Sequence, residues 1–530
     1  MVSFEQIADT LDMALDRGDQ EALRRALAAV DSQYPPGTDL PPAETARLAG
    51  LLIDAGAALQ LPAPIQRGQS LFEKEWNRLK PIYGEAQLHY NLGNGHQALY
   101  EIERSRPSWR FNLEGVESCF KAKSSYWRAL ARVHPPELTP RLLTNLANAL
   151  DSSGRVVDAL HYYDNALSIS PQFGMASCNR GQALLNLNQI SGTYSVKLLY
   201  EIYKSLDVAK KSESLDPCAR KLSEMHATKI AELLREHGYD KHEDPHSVLQ
   251  NQQEVSSHDS YWLWCLEHSL VLSEHALYCR CVGARRDDLS ILTPGDAKLS
   301  GAMVPKMELL LNRMKSEYCL SRALLYQSVA PERTPQWDLA PFEGTFTELL
   351  DDEEVGIETE FLRTSFRLCF GILDRIARGI CDLFKLAGQQ ENVYFHTFWR
   401  PTGKANDQRW VALNQISNAG LVALYGLARD MSEQKDGEWS NLRRYRNLFE
   451  HSLCLVRKDT APEDLPPWFD GEPLPSVSRR QMRADAADML RFARAAIFYF
   501  ALLVRAESLD VENEVRGHTI TFQKKPVGKD

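Results

Sequence analysis

The chain has 530 residues and a formal net charge of -10, enough length for about two to four domains with cores of their own. Its 44% hydrophobic and 25% charged content is that of an ordinary globular protein, and the acidic balance argues against a protein that coats nucleic acid non-specifically, though not against a local basic site. No run of about 20 apolar residues could span a bilayer, and Met1–Gln6 lacks the basic start and apolar core of a signal peptide, so a cytoplasmic protein without a membrane partner is expected.

Residues 1–76 read as an N-terminal helical module. Phe4, Ile7, Leu11 and Leu15 form one apolar stripe ending near Gly18, and Leu23, Leu27 and Val30 form a second. The pairs Pro35–Pro36 and Pro41–Pro42 interrupt the pattern, which Leu48, Leu51 and Leu52 resume.

Residues 77–237 carry a repeat. Leu143, Leu146, Ala147, Leu150, Ala159, Tyr163, Ala166 and Pro171 occupy the large, small and aromatic positions of a tetratricopeptide (TPR) repeat of about 34 residues. One period after Ala147 come Gly181 and Leu184, opening a further repeat whose second helix is displaced by an insertion and ends near Ala209. Upstream, Leu92–Gly93 resembles a first helix, and Tyr126, Ala129 and Pro135 a second, so about three repeats are expected. Such arrays stack helix pairs into a concave surface whose usual use is binding a peptide or protein.

Residues 238–257 are polar and aperiodic, and read as a linker. Helices are then expected over 261–282 and 306–329, with an acidic segment between Glu343 and Glu360 as an exposed loop or helix start, solvated or masking a basic groove. Four further helices follow: Phe361 to Ala387 ended by Gly388, Trp410 to Met431, the stretch Trp439 to Leu453, and Gln481 to Glu507. Packed by their apolar stripes they would make an antiparallel bundle. The prolines from Pro462 to Pro475 force a long loop before the last helix. Past Leu509 the 511–530 tail is polar, with His518–Phe522 alternating like a short strand. Arg479, Arg480, Arg483, Arg491 and Arg494 are either a solvated face balanced by Asp485 and Asp488 or an RNA-binding surface.

Ten Cys without a Cys-x-x-Cys pair do not suggest a disulfide framework; Cys369, Cys381 and Cys454 read as small hydrophobes in the core. His275, Cys279 and Cys281 stand at ligand-like spacing on one predicted helix. With no second pair elsewhere they read as core packing rather than zinc, and neither metal nor cofactor is expected.

In the Trp439–Leu453 stretch, Leu442, Tyr445, Phe449 and Leu453 make the stripe. Arg446 and His451, five residues apart, lie roughly 140° apart around a helix axis. Flanking the stripe, both could reach a groove completed by another helix or a second copy of the chain. A permanent cation shaped for phosphate beside a group that exchanges protons near neutral pH suits phosphodiester cleavage.

Arg446-Asn447-Leu448-Phe449-Glu450-His451 resembles the signature of HEPN domains, in which Arg and His are separated by a few residues, the first often Asn. Tyr261–Glu267, Met314–Tyr326, Phe366–Ala377 and Ala423–Asp430 resemble blocks of a subgroup with TPR repeats ahead of a long HEPN region. The resemblance implies an all-α chain, TPR-like repeats followed by a HEPN helical bundle over 258–510. It further implies a metal-independent endoribonuclease, of the kind found in toxin or antiviral-defence proteins. The RNA's own 2′-OH would attack the adjacent phosphorus, with Arg446 stabilising charge, His451 exchanging the proton and Asn447 orienting phosphate or imidazole. Because such domains generally work in pairs, a homodimer is implied. Asp374 and Glu317 are expected as bundle salt bridges or caps, and Glu450 as an i, i+4 partner of Arg446. The alternative reading is a non-catalytic adaptor whose HEPN region only dimerises.

Overall fold

The computed structural model describes residues 3–191, 195–242, 244–245, 259–291, 303–329, 344, 352–386, 393–400, 408–432, 437–452, 454–461 and 475–516. The chain is all-α: among these residues helices account for nearly all regular structure, with two three-residue strands. Backbone contacts divide it into two compact units, Met1–Ala183 with Ser205–Met225, and Leu184–Lys204 with His226–Asp530.

The first unit opens as its sequence dictates. Ser3 and Gln6 cap α1 (Phe4–Arg17) reciprocally, and Gly18 ends it with the positive φ of 63° that glycine tolerates. Asp19 caps α2 (Gln20–Gln33), and α3 (Pro42–Ala58) starts at the proline that needs no N–H partner there. Phe4, Ile7, Leu11, Leu23, Leu27, Val30, Leu48 and Leu52 form their shared core. Then follow α4 (Pro62–Lys74), α5 (Trp76–Arg104, kinked at Gly84), α6 (Glu117–Leu130), α7 (Thr139–Ser152) and α8 (Val156–Ile169). Next come α9 (Gly174–Ser191), α10 (Val196–Lys211) and α11 (Pro217–Glu236), of which residues 184–204 and 226–236 belong to the second unit.

Small residues let these helices approach. A Cβ on Gly93 would lie 2.5 Å from the Tyr126 ring, so α5 and α6 meet there only because residue 93 has no side chain. A polar clasp repeats alongside. Asn94 Oδ1 accepts hydrogen bonds from the Tyr126 hydroxyl (2.9 Å) and Asn145 Nδ2 (3.3 Å). One helix pair later, Asn148 Oδ1 accepts from the Tyr163 hydroxyl (2.7 Å) and Asn179 Nδ2 (2.8 Å). In each case one amide oxygen ties its own helix, the second helix of the pair and the first helix of the next.

In the second unit α12 (Asp259–Glu267) is followed by irregular chain, so the helix expected as far as Val282 is much shorter. Ser269 turns to φ 56° and the Leu270 amide bonds back to the Cys265 carbonyl at 2.7 Å, which closes the helix end. The 271–291 segment that follows is fastened by a buried cation. Arg322, 2% exposed on α13 (Met303–Val329), donates to the Leu270 carbonyl, to both carboxylate oxygens of Asp287 and to the Tyr261 hydroxyl.

α14 (Ile357–Phe384) ends at Lys385 in the left-handed region, ahead of the expected stop at Gly388, which lies outside the described residues. After α15 (Phe395–Phe398), the helix expected over 410–431 is two, α16 (Gln408–Asn414) and α17 (Ala419–Asp430). Asn418 makes the break. Its side chain accepts from the Gly420 and Leu421 amides as an N-cap, and donates to the Leu503 carbonyl and to Glu507. Gly420 sits so close to the backbone of Tyr499 and Leu503 that no Cβ would fit.

The motif helix α18 (Ser440–His451) leads to β1 (Leu455–Arg457), which pairs in parallel with β2 (Ser476–Ser478). α19 (Arg479–Arg516) continues as helix past the expected end at Glu507, into residues read as tail. α13, α14 and α19 pack on one another and α17 packs on α19. The motif helix packs against α14. The apolar stretch Ala495–Val504 is buried inside α19, and no helix among the described residues is long and apolar enough to cross a membrane. Within the expected linker 243 and 246–257, the proline segment 462–474 and the strand-like His518–Phe522 lie outside the described residues.

Candidate active site

α18 presents its stripe to α14. Leu442 is fully buried, and the Phe449 ring meets Phe366 edge-on at 5.8 Å and stacks with Tyr445 at 6.1 Å. That packing turns Arg446 inward: its side chain is 16% exposed, the guanidinium lies 5.5 Å from the centre of the Phe370 ring, and Nη2 stands 3.9 Å from Asp374 Oδ2. Asn447 is exposed on the adjoining face. His451 is the last residue of the helix, where the Ser452 amide bonds to the Leu448 carbonyl. The side chains of Glu450 and His451 lie outside the described residues, and with them the expected Glu450–Arg446 pair.

Arg446 lines a pocket with Arg443, Asp374, Phe370, Phe395 and His396. Asp374 Oδ1 accepts the Phe395 amide at 2.8 Å, so one carboxylate both faces Arg446 and holds the turn that delivers His396. Sequence reading missed His396. Its only local sign is a histidine among Tyr394, Phe395, Phe398 and Trp399, some 50 residues ahead of the motif, and nothing in the periodicity brings the two together. Burial, reinforced by the positive charges of Arg443, Arg400 and Arg446, pushes its imidazole down to about 4. At neutral pH it is therefore an uncharged hydrogen-bonding group beside two guanidinium groups.

The other expectations separate. Glu317 is a salt-bridge residue, 2.7 Å from Arg375 and 2.9 Å from Arg313. The arginines of α19 divide: Arg480 is exposed and Arg491 pairs with Asp488, as a solvated face would have them, while three others are engaged within the fold. Arg479 pairs with Glu354 and Glu358. Arg483 donates to the Ser328 carbonyl. Arg494, 6% exposed, donates to the Val271 carbonyl and lies over Phe498. The described end of the acidic segment is likewise engaged: the Glu354 amide bonds to the Val456 carbonyl at 2.7 Å and the Lys458 amide to the Asp352 carbonyl at 2.8 Å, beside β1.

Residues 299–507 match the family model described as LA2681-like HEPN. A HEPN domain is thereby supported over that stretch. The match takes in the pocket, the motif helix and three of the four further blocks; Tyr261–Glu267 falls ahead of it, tied to the HEPN domain through the Arg322–Tyr261 hydrogen bond. No curated protein matches the chain.

Proposed function

We propose that the HEPN domain is a metal-independent endoribonuclease, with Arg446, Asn447 and His451 as its catalytic residues. One observation carries this reading: Arg446 is largely withdrawn from water in a pocket with Arg443 and His396, on the helix that ends at His451. Two guanidinium groups on one concave surface suit the anionic oxygens of a phosphorane. His451 takes the 2′-proton or protonates the leaving 5′-oxygen, and exposed Asn447 orients the phosphate. The products are a 2′,3′-cyclic phosphate and a 5′-hydroxyl, which restricts the substrate to RNA.

Two copies of the chain pair through their HEPN domains so that both motifs line one cleft. Residues 1–76, the TPR-like repeats of 77–237 and the linker at 238–257 precede the HEPN-type region at 258–510, and the repeats serve for sensing or for docking a protein or peptide partner. The role that fits is a cytoplasmic toxin or antiviral-defence effector. The stacked helix pairs with their repeated Asn–Tyr–Asn clasp support an array of this kind.

A second reading, a non-catalytic adaptor that dimerises through the HEPN domain, draws on one contact: Arg446 already faces Asp374 and Phe370 as a structural residue would. Incubation of the protein with RNA, with excess EDTA replacing Mg²⁺ and folding checked in the same buffer, separates the two. Cleavage leaving cyclic phosphate ends, reduced at least about 100-fold in His451→Ala and in Arg446→Ala, is the expected result. No cleavage, or cleavage unaffected by either substitution and so due to another nuclease, would leave the adaptor.

A further inference from the structure

The segment between α12 and α13 brings together three side chains that the HEPN chemistry does not use. His275 opens a single 3-10 turn, His275–Leu277, and the Cys279 amide bonds back to the His275 carbonyl at 3.0 Å. On the continuous α-helix expected here, Cys281 would have pointed away from His275. The chain instead leaves helical geometry after Leu277, and Cys281 returns to within 3.6 Å (Sγ to His275 Nε2). One ligand atom each from His275, Cys279 and Cys281 lies within 4.8 Å of the other two.

The geometry points to a zinc site built from His275, Cys279 and Cys281. Bond lengths of about 2.3 Å to sulfur and about 2.0 Å to imidazole nitrogen, arranged tetrahedrally, set ligand atoms about 3.5–3.8 Å apart, so the His–Cys separation already has the required value. The set is chemically selective, since two thiolates and an imidazole suit a borderline-soft dication and not Mg²⁺ or Ca²⁺. Charge favours it as well: Cys281 is 7% exposed, and two thiolates neutralise Zn²⁺, so the occupied site carries no net charge into the interior. The Cys281 amide donates to Cys279 Sγ at 3.3 Å, an orienting bond of the type that holds metal-bound sulfur in place. Three protein ligands leave the fourth position to a solvent molecule. The ion would pin a segment whose neighbours already grip α19, since Glu274 pairs with Arg505 and the Val271 carbonyl accepts from Arg494.

Full-length protein incubated with equimolar Zn²⁺ and passed through a desalting column should retain about one zinc per chain by elemental analysis. Cobalt substitution should give sulfur-to-metal charge-transfer bands and the intense visible bands of a tetrahedral ion. Cys281→Ser and His275→Asn should each weaken zinc binding at least about tenfold. Should Cys281→Ser fail to fold, the more exposed Cys279→Ser serves in its place, with helicity checked by circular dichroism. A chain that retains no zinc, that retains it equally in all three variants, or that carries a Cys279–Cys281 disulfide instead would overturn the site. Metal content is read without any RNA assay, so this site and the Arg446 pocket stand or fall separately.

Discussion

His396 shows how a single side chain acquires a property its sequence neighbours do not announce. Asp374 fixes its turn through the Phe395 amide, while burial and three arginines keep the ring uncharged down to about pH 4. An unfolded chain takes up a proton on this residue near its ordinary value of about 6.5, whereas the folded chain does not. The folded state therefore loses stability as pH falls from about 6.5 towards 4. In His396→Gln, denaturant unfolding at pH 7 and at pH 5 should differ by about 1 kcal/mol less than in the parent protein; an identical difference would show that the ring is not held neutral. His89 and His96, held to about 4 by their own burial, remain in both proteins and cancel in the comparison. Arg446 was marked as a candidate by the resemblance of Arg446–His451 to the HEPN signature, whereas His396 reaches the same pocket only through the tertiary packing of α15.

At the scale of elements, legibility followed the length and periodicity of each segment. α1, α2, α3, α7 and α8 appear where their stripes and Pro or Gly punctuation put them, because each has an apolar face and a terminating residue of its own. The break at Asn418 did not show, since an Asn inside a leucine-rich run becomes a cap only when Leu503 and Glu507 stand opposite to receive its amide. β1 and β2 were missed because three residues carry no period, and their pairing joins segments on either side of a proline-rich stretch. The Asn clasp was also invisible, yet it yields a sharp expectation. Asn148→Ala strips the acceptor from both Tyr163 and Asn179 and should cost about 2–3 kcal/mol, while Tyr163→Phe removes one donor and should cost about 1 kcal/mol. Equal losses in urea unfolding would mean that the oxygen does not serve two helices.

For the whole molecule, division of the chain into two compact units means that damage to one need not spread to the other. Arg322 offers the test, because among the described residues Asp287 is the carboxylate paired with this guanidinium, which is 2% exposed. Asp287→Ala should destabilise the second unit by about 3–5 kcal/mol. Hydrogen exchange should then accelerate across 259–291 and 303–329 while the helices between Phe4 and Ile169 keep their protection; uniform acceleration throughout would mean that the units unfold as one.

The parallel pairing of β1 has a consequence for the helix before it. Four residues beyond His451 the chain enters a stitched seam, with Ser476–Ser478 along one edge and Glu353–Glu354 along the other. The histidine end of α18 thus leads into main-chain bonds, and the opposite end is tied in the same way, since the Trp439 amide bonds to the Asp430 carbonyl at 2.8 Å and the Gly437 amide to the Ser432 carbonyl at 2.9 Å. Arg446 therefore rides on a short helix moored before and after by backbone rather than by side chains, so its guanidinium cannot leave Asp374 by fraying from either end alone.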